Sequence, residues 1–213
     1  MDMQNIEKAE LHLHLGGSWP LSYLKEVGDK EDVDNFQKFI SIMNSKDSST
    51  SYHACFKAFQ LISKIVNSNE KVVGGASAVC KSLIADGVTY AEIRTSLKDL
   101  GGEGLENYLR SVLTGLENGT KRTPLNVAVL LSLRRNCEKQ LAEETLRLIK
   151  KYGINSPNTD FSVKVVGLDV SDNAMLGEGN NIFEISRELH ELGIPIALHL
   201  GVFRVFFSST LLD

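Results

Sequence analysis

Five short runs of mainly apolar residues constrain the fold of this chain more than any other feature of its sequence. Near-continuous hydrophobicity of this kind is typical of strands that are buried on both faces of a parallel sheet. From the second run onward, the runs begin 31 to 38 residues apart, which is the length of a strand plus a helix. The predicted strands are residues 9–15, 88–95, 125–133, 163–170 and 194–200.

The segments between these strands have helical spacing and recognisable helix ends. Helices are predicted over residues 51–66 and 70–86, and Phe56 and Phe59 are expected to pack in the core rather than at the mouth of a pocket. Ser18 followed by proline resembles an N-cap with proline in the first turn. Three glycines follow amphipathic runs and precede strands, and each is predicted to end a helix: Gly119, Gly153 and Gly193.

A series of strand–helix units predicts an α/β fold of the TIM type, the (β/α)8 barrel, whose functional groups lie at the C-terminal ends of the strands. A doubly wound sheet is the alternative. The segment GGEG at 101–104 does not match the G-x-G-x-x-G pattern of such sheets. Five strands cannot close an eight-stranded barrel. We therefore predict an incomplete barrel of about five βα units in residues 1–201, followed by an atypical tail over 202–213.

The composition of the 213 residues argues against several classes of function. A net charge of −4 disfavours a nucleic-acid surface. The apolar stretches are too short to span a membrane, and the polar, acidic N-terminus does not resemble a signal peptide. The three cysteines lack CxxC spacing, which argues against a disulfide framework. We expect a cytoplasmic protein with neither nucleic-acid nor membrane partners.

Two histidines, His12 and His14, lie near the end of the first predicted strand. Alternate residues of a strand face the same side, so both imidazoles project together and can bind one zinc ion. Two polar residues on a half-exposed strand would show the same pattern. His199 strengthens the metal interpretation, because it also ends an apolar strand. His53 and His190 fall in helical patterns and are predicted to be surface or capping residues.

Several segments taken together resemble the adenosine and AMP deaminase family. The segment KAELHLHLGGS is similar to the family signature K-V-E-L-H-x-H-L-(D/N)-G-S. The similarity continues in the segments ACFKAFQLI, DGVTYAEIRTS, VVGLDVSD and IALHLG. These segments cover most of residues 8–201 in the family's order, and they are most similar to the branch that acts on N6-methyl-AMP. The resemblance implies a TIM barrel with one Zn²⁺, held here by His12, His14 and His199 together with a later aspartate.

The resemblance also implies hydrolytic deamination of a purine nucleoside or nucleotide, with a full-length relative expected to be a monomer. In the family, zinc lowers the pKa of a water that attacks C6 of the purine, and a glutamate protonates the ring. Val202 stands at the position of that glutamate and cannot exchange a proton. We expect this chain to be a truncated, inactive form. The alternative is a pseudoenzyme that acts by binding metal, ligand or partner.

The resemblance places further positions near a substrate: His14, Gly16, Ser63, Thr95, Ser96, Lys98 and Asp172. Gly16 replaces an acidic or amide side chain that contacts the sugar, and Asp172 replaces a glycine whose amide faces the purine. Ser63 replaces a histidine that the methyl-AMP branch uses near its substrate.

Other positions bear on a phosphate group or on the barrel interior. The stretch that contains Thr95, Ser96 and Lys98 matches one near the nucleotide phosphate, although Lys98 is equally compatible with an ordinary solvated lysine. Arg134 and Arg135 end another strand and fit phosphate binding or solvation equally well. Arg94 and Glu92 alternate within one strand and are predicted to pair in a structural role.

Overall fold

The computed structural model describes residues 6–43, 52–154, 156–157, 159–171 and 180–199. Helices and strands alternate along most of this part of the chain. In order they are β1 Lys8–His14, α1 Leu21–Val27, α2 Lys30–Met43, α3 Tyr52–Ile65, α4 Asn69–Ala85, β2 Val88–Ser96, α5 Leu105–Thr120, β3 Asn126–Arg134, α6 Lys139–Tyr152, β4 Lys164–Ser171, α7 Asn180–Glu191 and β5 Ile196–Leu198. A short 3-10 turn over Leu15–Gly17 follows β1 directly.

The five described strands form one parallel sheet in the order β1-β2-β3-β4-β5. Each strand lies beside its neighbour in sequence, and helices connect them. A doubly wound sheet would reverse its strand order at a switch point, whereas sequential parallel order is the topology of a TIM barrel. The predicted α/β fold, an incomplete TIM-type barrel, is therefore confirmed, and the described residues contain four βα units and a fifth strand.

The predictions for β1 to β4 agree with the structure, β5 covers only Ile196–Leu198 of the predicted 194–200, and two of the predicted helix ends are wrong. Ser18 is not the N-cap of α1: its hydroxyl donates to the carbonyl of His14 at 2.7 Å, and Pro20 is the capping residue. Gly119 lies inside α5. Gly153 and Gly193 do follow the ends of α6 and α7, and Gly193 has the positive φ of 67° that favours glycine after a helix.

Close packing of α4 against α5 explains why a glycine occupies position 119 within a helix. A Cβ at Gly119 would stand 2.6 Å from the Cβ of Cys80, and one at Gly115 would stand 2.7 Å from that of Ala76. Both glycines thus let the two helices approach each other more closely than larger residues would allow. Fully buried core residues include Leu109, Val112, Leu113 and Leu116 on α5, and Leu148 and Ile149 on α6.

Phe59 differs from its predicted place in the core. Its side chain is 44% exposed, and one ring carbon lies 3.1 Å from the position that a Cβ on Gly17 would take. The ring therefore lies against the turn that follows β1 rather than among buried side chains. The side chain of Phe56 lies outside the described part of the structure. No described helix is both long and apolar enough to cross a membrane.

Candidate metal centre

Three histidine side chains meet at the C-terminal ends of β1 and β5, the two edge strands of the sheet. His12 and His14 lie on β1, and His199 follows β5 directly. The Nε2 atoms of His12 and His14 are 3.2 Å apart, and those of His14 and His199 are 3.4 Å apart. One ring nitrogen from each of the three lies within 4.8 Å of the others. The structure thus brings the three imidazoles together.

An irregularity in β1 sets the direction of the first histidine. Glu10 pairs with Ala91 of β2 and Leu13 pairs with Ile93, so three steps along β1 match two along β2. This is a β-bulge, a feature that re-aims side chains and is common beside active sites. Within it, the amide of His12 donates to the Glu10 carboxylate at 3.0 Å.

A buried ion pair lies beneath the three imidazoles, between β2 and β4. Arg94 Nη1 donates to Asp169 Oδ1 at 2.7 Å, and Ser132 Oγ donates to Asp169 Oδ2 at 2.8 Å. Asp169 is fully buried and Arg94 is 7% exposed. Asp169 Oδ1 also lies 3.4 Å from His199 Nε2. We call Arg94, Ser132 and Asp169 the polar layer.

The sequence did not reveal the polar layer, and the predicted pairing of Arg94 with Glu92 is wrong. Glu92 instead accepts a hydrogen bond from the hydroxyl of Tyr90 at 3.2 Å. Arg94 reaches across the sheet because a fully buried carboxylate on β4 needs a cationic partner. The available signal was an aspartate within the apolar run VVGLDVS, matching the arginine within the apolar run of β2.

Burial lowers the pKa of His14 below its usual range. The charge of Asp169 acts in the opposite direction, and the neighbouring His199 and His12 add to the lowering. Burial also lowers the pKa of His199, again against the effect of Asp169. Metals bind the neutral form of imidazole, so this environment keeps both rings in the form that can act as ligands near pH 7.

Two of the three nitrogen separations match those of a zinc site. Zinc–nitrogen bonds of about 2.0–2.1 Å in a tetrahedral arrangement place neighbouring ligand nitrogens roughly 3.3 Å apart. Two of the three nitrogen separations, 3.2 and 3.4 Å, bracket that value, and all three nitrogens lie within 4.8 Å of one another. Three imidazoles leave one tetrahedral position for a further ligand or for water, as in catalytic zinc sites.

The predicted substrate positions do not all face this centre. Gly16 lies in the turn after β1, and a Cβ there would meet no described atom within 4 Å. Ser63 is exposed on α3, where its hydroxyl donates to the carbonyl of Phe59 at 2.9 Å. The hydroxyl of Thr95 lies 2.9 Å from that of the buried Tyr108. Thr95 thus points toward α5, on the side of β2 opposite Arg94, so its hydroxyl is directed away from the histidines.

Residues after β2 and β3 lie at the same rim as the histidines. Ser96 is the exposed last residue of β2. Lys98 follows it and is partly buried, which lowers the pKa of its amine. Arg134 is exposed, and Arg135 donates to the backbone carbonyl of His199. Asp172 and Val202 lie outside the described residues.

A sequential parallel sheet with convergent imidazoles at its C-terminal end defines this chain as part of a TIM-type barrel. The crystal structure of Arabidopsis ADAL complexed with IMP is similar to it, with a TM-score of 0.77 and 26% identity, and the match covers 95% of this chain and 60% of that one. A family model described as adenosine deaminase matches residues 7–192. The chain belongs to the adenosine deaminase family.

Its relatives include N6-methyl-AMP deaminases from vertebrates. The protein from Mus musculus is 29% identical over 199 residues, which are 92% of this chain and 54% of the mouse protein. The protein from Danio rerio is 26% identical over 201 residues, covering 93% of this chain and 56% of its own length. The chain therefore spans about half the length of the curated relatives that it matches.

Proposed function

We propose that this chain forms the zinc-binding part of a hydrolase that deaminates a purine nucleotide, with N6-methyl-AMP as the substrate. The observation that carries the proposal is the convergence of three imidazoles within 4.8 Å at the C-terminal end of the sheet. The similarity to N6-methyl-AMP deaminases supports the substrate. IMP, the ligand of the similar Arabidopsis protein, is the molecule that remains when hydrolysis removes methylamine from N6-methyl-AMP.

The proposed zinc ligands in this chain are His12, His14 and His199. When bound there, zinc would supply a water of lowered pKa, near 7, as the nucleophile at C6 of the purine. The burial that lowers the pKa of His14 and His199 keeps these two ligands neutral. The family places its acid three residues after the third histidine, at position 202 of this chain. The residue there decides whether the ring nitrogen receives a proton.

Lys98 is the residue that we propose for the substrate phosphate. It follows β2 at the same rim as the histidines, and burial lowers the pKa of its amine. Among the described residues Lys98 has no ion-pair partner. Burying an unpaired ammonium is unfavourable, and a phosphate would supply the missing counter-charge. The open space at Gly16 fits a site that selects by phosphate rather than through a side-chain contact to the sugar.

A kinetic comparison tests the substrate, using a protein that carries residues 1–201 of this chain within a complete barrel, with glutamate at the family's acid position. We expect kcat/KM to be higher for N6-methyl-AMP than for adenosine, and Lys98→Ala to reduce that preference by about 10-fold or more, since a charged hydrogen bond contributes about 1.5–3 kcal/mol. Lys81→Ala, which removes an exposed lysine of α4, is the matched control. A preference for adenosine would overturn the proposed substrate.

We further propose that the 213-residue chain by itself binds the metal ion without deaminating the nucleotide. Valine at position 202 offers no proton to the purine ring, and general acid–base catalysis is worth about 10²–10⁴ in rate. The three histidines that converge all lie within the described residues, to which Val202 does not belong. Metal binding and turnover are therefore separable in this chain.

A further inference from the structure

We propose that Arg94 is a positioning residue that fixes the spacing between the two histidines of β1 and His199, and thereby sets the metal affinity of the centre. The inference rests on the proposed zinc site and adds a residue that does not itself bind the metal. Arg94 is suited to this role because its guanidinium is nearly buried and lies between the strands that carry the three imidazoles.

One guanidinium group contacts both sides of the histidine cluster. Nη2 donates to the carbonyl of Leu11 at 3.1 Å, within the β-bulge that directs His12. Nη1 donates to Asp169 on β4 and lies 3.4 Å from His199 Nε2. The Arg94 side chain alone thus links β1, at the metal centre, to His199 beside β4.

The shape of arginine matters for this link. The bulge interrupts regular pairing between β1 and β2, so the carbonyl of Leu11 takes its hydrogen bond from a side chain. A guanidinium is a planar fork that can serve two acceptors in different directions. A lysine at position 94 would keep the positive charge, but its single ammonium does not hold the fixed fork geometry that joins Leu11 to Asp169.

The polar layer also removes an electrostatic cost. A guanidinium this close to a divalent cation would repel it in a site of low dielectric. The fully buried carboxylate of Asp169 offsets that charge at 2.7 Å. Ser132 holds the second carboxylate oxygen, so Asp169 stays directed at Arg94. The polar layer therefore fixes the positions of the histidines while it contributes little net charge to the metal site.

Arg94→Lys in the 213-residue chain tests this inference, because the charge is retained and the fork is lost. Zinc affinity would be measured by competition with a chromogenic chelator, and ligand geometry by the visible absorption of bound Co²⁺. We expect the zinc Kd to rise about 10- to 100-fold, the usual effect of changing a partner of metal ligands. The Co²⁺ bands should also change in position and intensity.

Arg147→Lys is the matched control, since it changes an arginine that binds Glu106 and Glu144 on the helices instead. Its zinc Kd and Co²⁺ spectrum should equal those of the unchanged chain. Circular dichroism checks that each variant is folded. If Arg94→Lys does not fold, Ser132→Ala replaces it as the test, with a several-fold rise in Kd expected from freeing Asp169 Oδ2.

Three outcomes would count against the inference, and they are distinguishable. If folded Arg94→Lys binds zinc as tightly as the unchanged chain with the same Co²⁺ spectrum, Arg94 has no positioning role and the zinc site still stands. If Arg94→Lys is unfolded and Ser132→Ala changes nothing, the inference also fails. If the unchanged chain binds no zinc, the proposed metal centre fails and the inference fails with it.

Discussion

Replacing Asp169 by alanine measures how strongly the polar layer stabilises the fold. Asp169 is fully buried, and the side chain of its partner Arg94 is 9% exposed. Removing one member of a buried ion pair leaves an uncompensated charge and costs about 3–5 kcal/mol. The hydroxyl of Ser132 would also lose its acceptor, at a cost of about 1 kcal/mol. We therefore expect Asp169→Ala to lower the free energy of unfolding by about 4–6 kcal/mol, a large share of the roughly 5–15 kcal/mol of a typical domain.

Asp86→Ala is the matched control for this prediction. It removes the same residue type from an ion pair of similar length, 2.9 Å to Lys8, but the Asp86 side chain is 66% exposed. Such surface pairs contribute less than about 1 kcal/mol. Urea unfolding followed by circular dichroism gives both values. The double variant Arg94→Met with Asp169→Leu should cost less than Asp169→Ala alone, because no charge stays buried. Equal losses for Asp169→Ala and Asp86→Ala would refute the reasoning.

Three further predictions concern packing, pH and turnover. Gly115→Ala should lower the free energy of unfolding, measured in urea, by about 1–3 kcal/mol, because its Cβ would stand 2.7 Å from an alanine methyl of α4. Gly16→Ala, the control in open space, should change it by less than about 0.5 kcal/mol. Equal effects of the two substitutions would contradict the packing. Partial burial would raise the pKa of Glu106, but hydrogen bonds from Arg147 and two neighbours outweigh it and lower the pKa from 4.5 to about 2. The stability that this carboxylate adds is therefore present above pH 4.5 and lost as the pH falls toward 2. Glu106→Gln should cost about 1 kcal/mol at pH 7 and almost nothing near pH 2, and a loss independent of pH would argue against the pair. The 213-residue chain, with or without Val202→Glu, should leave the absorbance of N6-methyl-AMP unchanged when zinc is added, and turnover that rises with bound zinc would contradict this expectation.

The positions of the strands could be predicted from the sequence because parallel strands are buried on both faces. Each therefore appears as an apolar run, and the ends of β1 to β4 differ from the predicted ends by about one residue. The three histidines could be placed together for a related reason. Each lies near the C-terminal end of an apolar run, and all parallel strands of one sheet end at the same edge.

The features that could not be predicted depend on contacts between distant segments. The local pattern predicts a helix end at Gly119, because it does not show the close approach of α4 that requires a glycine there. The sequence places Glu92 nearest to Arg94, whereas the partner of Arg94 lies 75 residues away and is set by the alignment of β2, β3 and β4. Similarity groups Thr95 with its neighbours, although strand alternation turns its hydroxyl to the other face.

A zinc titration of the 213-residue chain tests the central claim most directly, which is that His12, His14 and His199 share one metal ion. The bound zinc would be counted after dialysis, in the unchanged chain, in His199→Ala and in His190→Ala, whose histidine is exposed on α7. We predict one zinc ion per chain, retained in His190→Ala and lost or greatly weakened in His199→Ala. Equal zinc binding by His199→Ala and the unchanged chain would contradict the account.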